Sequence, residues 1–160
     1  MTDEETRFRY EVGESWAAVW AIARHIHALG GCSIAVPPLQ LRPSFDEREG
    51  YGDDADLLIK TANGDWKRAE VKRRKLSFTS AEDYPYATLF VDRSVKADKA
   101  SPDTYFILNE GMTHAARIDA STKPQWLGPT TKYDRVKRHE LTIYECPKAL
   151  ARFFKISADG

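Results

Sequence analysis

One segment, GDDADLLIKTANGDWKRAEVKRRK (Gly52–Lys75), constrains the fold of this chain more than any other. ADLLIKT has the composition of a compact apolar strand, the Asn-Gly pair after it is a tight-turn signal, and the residues that follow alternate well enough to form the returning strand. The segment therefore predicts a β-hairpin. Asp56, Glu70 and Lys72 lie among its apolar residues, where they are either solvated charges or a metal site.

Length and charge limit the classes of protein that need to be considered. A chain of 160 residues with 42% hydrophobic residues can form one domain, over residues 1–160, with its own core. Its 24 basic and 24 acidic side chains cancel, so nucleic-acid binding would need a local basic patch. The N-terminal segment is acidic, and no apolar run is long enough to span a membrane. We therefore expect a soluble, cytoplasmic protein without a membrane partner.

A helix is expected before the hairpin. Between Gly13 and Leu29 apolar residues recur at steps of three and four, and Gly30-Gly31 supplies a C-terminal stop. The apolar stripe expected to face the core consists of Trp16, Val19, Trp20, Ala23 and Ile26.

The rest of the chain is rich in strand signals. CSIAVPPLQL predicts a short or edge strand because of its prolines, and YATLFVD, DTYFILN, HAARID and ELTIYE predict further strands. Residues 121–138 have the composition of a surface loop, and KALARFFKI after Pro147 is expected to form a helix. The expected fold is mixed α/β (α+β), with a single central mixed β-sheet flanked by helices.

The hairpin could bring acidic groups together. If Asp56 begins one strand and Glu70 lies on its partner, their carboxylates come close at one end of the sheet. Two carboxylates and a backbone carbonyl suit Mg²⁺ or Mn²⁺. Lys72, two residues after Glu70, shares its face of the strand. This combination suits phosphodiester hydrolysis, in which a metal activates water and a lysine orients the nucleophile or stabilises the transition state.

The motif resembles the PD-(D/E)XK nuclease superfamily over roughly the first half of the chain. In that superfamily an acid at the start of the second core strand and a Glu-x-Lys on the third form the site. The resemblance implies that Asp56 and Glu70 bind the metal, that the Val71 carbonyl completes the protein ligands and that Lys72 is catalytic. It also implies a restriction-endonuclease-like core with a helix after the third strand, for which Val95–Ala100 is the candidate.

Two assignments within the resemblance stay open. Asp53 and Asp54 compete with Asp56, although Asp56 alone directly precedes the apolar run. Many members of the superfamily add an acid from the first helix, for which Glu14 or Glu11 is the candidate.

Basic residues suggest where nucleic acid would bind. Alternatively, they form a solvated edge that discourages aggregation between sheets. DNA is the expected partner, with RNA as an alternative, and a homodimer or protein partner could add contacts. The expected nucleic-acid-binding residues are Lys67, Arg68, Arg73, Arg74 and Lys75 beside the motif and Lys132 and Arg135 in the predicted loop, near Lys137 and Arg138.

These features together predict a metal-dependent nuclease that hydrolyses phosphodiester bonds in DNA. The alternative is a catalytically inactive nucleic-acid-binding or protein-interaction module on the same fold.

Overall fold

The computed structural model describes residues 3–38, 55–135 and 138–157, with the side chains of the first helix described from Gly13 onward. The two α-helices are α1 (Asp3–Leu29) and α2 (Ser94–Ala100). The strands are β1 (Cys32–Ala35), β2 (Leu57–Thr61), β3 (Trp66–Arg73), β4 (Thr88–Arg93), β5 (Thr104–Leu108), β6 (His114–Asp119), β7 (Leu127–Asp134), β8 (His139–Pro147) and β9 (Arg152–Lys155).

Helix α1 begins earlier than its apolar periodicity predicted and ends where the glycines predicted. It starts at Asp3 because the Glu- and Arg-rich segment before Gly13 has good helix propensity. It stops before Gly30 and Gly31, which both have φ +77°, a left-handed conformation that glycine adopts without a Cβ penalty.

The buried face of α1 differs in part from the predicted stripe. Trp20 is 42% exposed, so its assignment to the core is wrong, and Trp16 is half-buried against it. Smaller residues provide the close contact with the sheet instead. Among the side chains of α1 that the structure describes, from Gly13 onward, the buried ones are Ala18, Val19, Ile22 and Ala23.

The predicted hairpin is confirmed and lies within a six-stranded mixed sheet. Its strand order is β1-β2-β3-β5-β6-β9, in which β3 and β5 are parallel and the other neighbours are antiparallel. Leu57 pairs with Ala69, and the turn places Gly64 at φ +86°. β1 is an edge strand, as its prolines predicted.

The expected mixed α/β fold with a central mixed sheet is confirmed, but the described residues form a second sheet as well. A second, three-stranded sheet of order β4-β8-β7 covers the face of the large sheet opposite α1. The second core, which includes Phe78, Leu89, Val91, Tyr105 and Ile107, fills the space between the two sheets. Each buried face of the large sheet therefore has its own apolar core.

Two segments differ from their predicted conformations. The predicted loop at residues 121–138 contains part of a 3₁₀-helix (Ala120–Gln125) and strand β7, which is exposed along almost its whole length. A strand without a buried face has no apolar alternation to reveal it. The predicted C-terminal helix is a 3₁₀-turn followed by β9, in which Phe153 and Phe154 pack against different cores.

Helix α2 lies between β4 and the parallel strand β5, where a short helix was expected. β4 runs directly into α2, which buries Ser94 and Ala97. This connection places α2 beside the second face of β3. No helix in the described ranges has the length and apolar character that crossing a membrane requires.

Candidate active site

Strand β3 presents alternate residues to two different environments. Ala69 and Val71 face α1 and belong to the first core. Glu70 and Lys72 therefore face the second sheet and α2, because successive side chains of a strand point to opposite faces. The hairpin and its two flanking layers thus enclose a pair of charged side chains.

Asp56 is held beside Glu70 by backbone contacts at the start of β2. Its N–H donates to the carbonyl of Ala69 (3.2 Å), and its Oδ2 accepts from the N–H of Val71 (2.8 Å). In an antiparallel pair the N–H and C=O of one residue point to the same neighbour, so the Val71 carbonyl is directed to the Asp56 side of β3. Two carboxylates and one carbonyl therefore converge at this end of the hairpin.

Glu70 is the least usual side chain of the cluster. The residue is only 1% exposed, and within the described part of the chain neither of its carboxylate oxygens has a hydrogen-bond partner. Burial and the neighbouring Asp56 carboxylate raise the pKa of Glu70 to about 8. Both causes disfavour the ionised form of the Glu70 carboxyl group when no cation is bound.

Two lysines from different elements approach the acids. Lys72 Nζ lies 3.2 Å from Asp92 Oδ2, and both side chains are largely buried. Lys96, on α2, has its Nζ 3.9 Å from Glu70 Oε2. Burial, followed by the nearby Lys96 charge, lowers the pKa of Lys72. The cluster therefore contains acidic and basic side chains that are buried or partly buried.

Asp92 and Lys96 were not among the residues predicted from the sequence. Asp92 ends the apolar run TLFVD, where an acid suggests the last exposed residue of a strand, yet it is only 5% exposed. The sequence did contain one signal for these residues. An acid follows an apolar strand run and precedes a short helix that carries a lysine. The approach of Asp92 to Lys72 and of Lys96 to Glu70 depends on how β4 and α2 pack against the large sheet.

The first-helix acids are not brought to this cluster. Glu14 accepts a hydrogen bond from Arg73 Nη1. Arg73 alternates with Lys72 on β3 and points to the α1 face, opposite Glu70. The side chain of Glu11, and all of Asp53 and Asp54, lie outside the described residues.

The basic residues near the motif do not form one surface. Arg73 pairs with Glu14, and its Nε also donates to the carbonyl of Glu110 (2.8 Å). Arg74 points inward, with its guanidinium 4.2 Å from the centre of the Phe90 ring and donating to the Phe90 carbonyl. Neither guanidinium is therefore presented to solvent as part of a continuous patch.

The other predicted nucleic-acid contacts are distributed over the surface. Arg68 donates to the Ser101 carbonyl, and Lys132 pairs with Glu145 at 2.6 Å. Lys132 lies on the exposed strand β7 of the second sheet, and Arg135 follows the end of that strand, whereas β3 belongs to the large sheet. The exposed predicted cations are Lys67, Lys75, Lys132 and Arg135.

The stability of the metal-free protein is expected to fall as the pH rises through about 8. The folded-state pKa of Glu70, about 8, exceeds the ordinary value of 4.5, so over this interval the folded state holds a proton that the unfolded state releases. The contribution is present below pH 4.5 and is lost progressively toward pH 8, with a slope of at most about 1.4 kcal/mol per pH unit.

Urea denaturation in EDTA across this pH range measures the effect, with Glu70→Gln as the reference. The difference in unfolding free energy between the variant and the wild-type protein should grow with pH. A difference that is independent of pH would contradict the raised pKa.

Comparison of the chain with known protein families finds no match, and comparison with curated proteins finds no match either. The side-chain chemistry of the cluster is therefore what bears on function.

Proposed function

We propose that this chain is a metal-dependent nuclease that hydrolyses phosphodiester bonds in DNA at the Asp56–Glu70–Lys72 cluster. The observation that carries the proposal is the Glu70 carboxylate, which is buried, lacks a hydrogen-bond donor among the described residues and lies beside Asp56. A buried carboxylate without a hydrogen bond is costly, and a divalent cation is one ligand that would compensate it.

The oxygen donors of the site fit Mg²⁺ or Mn²⁺, although they include only two side chains. The described residues contain no group of three or more His, Cys, Asp and Glu side chains that could hold a metal ion. Asp56 and Glu70 would supply two carboxylates and Val71 its carbonyl, which leaves the other positions to water. Mg²⁺ commonly binds through one or two carboxylates and keeps several waters. A bound metal would activate water and neutralise charge that develops on the phosphate.

The protein's own residues would position and charge the site. Asp56 is oriented by the Val71 N–H, and Asp92 holds the Lys72 ammonium on the same face as Glu70. The second sheet and α2 exclude bulk water from Glu70, which strengthens electrostatic interactions there. These features would place fixed charge around a phosphodiester without reorganisation.

The topology also supports a restriction-endonuclease-like core. A helix precedes three antiparallel strands, and a second helix leads to a strand that is parallel to the third. The acid lies at the start of the second strand and the Glu-x-Lys on the third, as the resemblance implies.

A catalytically inactive module is the second candidate. The observation that favours it is the ion pairing of the cluster, since Lys96 lies near Glu70 and Lys72 lies near Asp92. In that case the acids and lysines would stabilise the junction of the two sheets, and the exposed cations would supply the nucleic-acid contact.

Mg²⁺ is expected to stabilise the wild-type protein and not Asp56→Asn. A ligand that binds only the folded state adds about 2.7 kcal/mol at 100 times its Kd. Asparagine still accepts the Val71 hydrogen bond but lacks the charge that the metal needs. Thermal unfolding with increasing Mg²⁺ or Mn²⁺ measures this, and Asp65→Asn, an exposed acid in the turn of the same hairpin, is the matched control.

Cleavage then tests the activity itself. Plasmid, linear, branched and single-stranded DNA, and RNA, are incubated with Mg²⁺ or Mn²⁺ and either the wild-type protein or Asp56→Asn. Metal-dependent cutting by the wild type alone supports the nuclease. Absence of both stabilisation and cutting, with DNA still bound, would favour the inactive module.

A further inference from the structure

A second lysine lies at the carboxylate of the proposed metal site. Lys96 Nζ is 3.9 Å from Glu70 Oε2, and its side chain is 32% exposed whereas that of Lys72 is 16% exposed. Lys96 therefore reaches from the solvent side of the cluster to a carboxylate that is itself almost completely buried.

The two lysines differ in their exposure and in the distance to their acids. Lys72 and Asp92 form a short ion pair, 3.2 Å apart, in which both side chains are largely buried. The Lys96 ammonium lies farther from Glu70, at 3.9 Å, and its side chain is partly exposed. Of the two ammonium groups, that of Lys96 is therefore the more accessible to an incoming ligand.

The charge of the cluster changes when a cation binds. When all six side chains are ionised, the charges of three acids and three bases cancel. A bound divalent cation would then give the cluster a net positive charge. That excess repels the Lys96 ammonium from Glu70 and favours binding of an anion, and a phosphodiester carries the required charge. The six groups are Asp56, Glu70, Asp92, Lys72, Arg74 and Lys96.

We propose that Lys96 is a further catalytic residue, whose ammonium moves from Glu70 to a non-bridging oxygen of the scissile phosphodiester when the metal site is filled. This inference rests on the proposed nuclease function. A lysine ammonium binds phosphate as a point charge, and the contact strengthens as charge develops in the transition state. Lys72 stays with Asp92 and does not exchange roles with Lys96.

The experiment compares Lys96→Gln with the wild-type protein and with Lys99→Gln. Lys99 is an exposed lysine on the same helix, so its substitution matches the change in charge and helix propensity. Three quantities are measured: the cleavage rate at saturating DNA with Mg²⁺, the Mg²⁺ dependence of thermal stability, and the affinity for a duplex oligonucleotide with Ca²⁺, which takes similar oxygen ligands. Lys96→Arg tests rescue of the charge.

We expect Lys96→Gln to cut about 10²-fold more slowly. The stabilisation of this variant by Mg²⁺ should be unchanged or stronger, because the Lys96 ammonium no longer competes with Mg²⁺ for Glu70. Its affinity for the oligonucleotide should be weaker and less dependent on salt, as for the loss of one phosphate contact. Lys99→Gln should cut within about twofold of the wild type, and Lys96→Arg should recover part of the rate.

Two results would overturn the role of Lys96 while leaving the nuclease intact. One is cleavage by Lys96→Gln at the wild-type rate. The other is loss of Mg²⁺-dependent stabilisation together with cleavage, which would mean that Lys96 supports Glu70 structurally. A wild-type protein that neither binds Mg²⁺ nor cuts would overturn the proposed function and this inference together.

Discussion

Glu70→Gln is expected to abolish metal-dependent cleavage and at the same time to stabilise the metal-free protein at alkaline pH. Glutamine has the shape of glutamate but cannot supply the anionic oxygen that a divalent cation requires. Loss of several kcal/mol of transition-state stabilisation corresponds to a decrease in cleavage of about 10³-fold or more.

The gain in stability has a separate cause. Glu70 is 1% exposed, and above its pKa of about 8 the folded protein must hold a buried charge that no donor among the described residues satisfies. The neutral amide of glutamine removes the cost of holding that charge in the interior, although it remains a buried polar group. The variant also loses the charge pair with Lys96, whose Nζ lies 3.9 Å from Glu70 Oε2, and this loss offsets part of the gain.

Cleavage with saturating Mg²⁺ and urea denaturation in EDTA at pH 5 and pH 9 measure the two effects. The stability difference should be small at pH 5, where Glu70 is protonated in the folded state, and large at pH 9. Glu110→Gln, an exposed glutamate in the turn after β5, is the control and should change neither quantity. A variant that is less stable than the wild type at pH 9 would show that the carboxylate has a structural role.

Asp92→Ala is expected to cause the largest loss of stability of any single substitution in the cluster. Asp92 and Lys72 have side-chain exposures of only 7% and 16%, so removing the acid leaves an ammonium in the interior without its partner. Breaking a buried ion pair from one side typically costs about 3–5 kcal/mol. For a chain of this size that corresponds to a decrease in melting temperature of roughly 10 °C.

A double-mutant cycle separates the ion pair from the packing. Lys72→Met removes the buried charge, so Asp92→Ala should cost less in that background than in the wild type, by about 0.5–3 kcal/mol. Asp98→Ala is the matched control, because Asp98 also pairs with a lysine, Lys123, but at the surface. If Asp92→Ala costs no more than Asp98→Ala, the pair does not hold Lys72 in its charged form.

The two predictions have the same physical basis. Keeping acids and lysines in the interior lowers the stability of the folded chain, but it provides strong electrostatic interactions at the site. The effect of Glu70 on stability is unfavourable, and that of Asp92 is favourable only because Lys72 is present. A purely structural junction between the sheets would gain from replacing all of them by apolar residues.

The sequence by itself determined the hairpin and the pairing of its acids. Apolar runs on both sides of an Asn-Gly turn specify the register of β2 against β3, and that register brings Asp56 beside Glu70 and places Lys72 on the same face. The stop of α1 and the edge position of β1 follow from glycine and proline. These features were predictable because they depend on neighbours within a few residues of the chain.

The tertiary structure alone decided which charges join the cluster. Asp92 reaches Lys72, and Lys96 reaches Glu70, only because β4 packs over the large sheet as part of a second sheet and runs into α2. The same packing turns Arg74 inward and leaves Arg73 on the opposite face with Glu14. Strands β7 and β9 form because partner strands supply their hydrogen bonds, a non-local contribution that local composition does not encode.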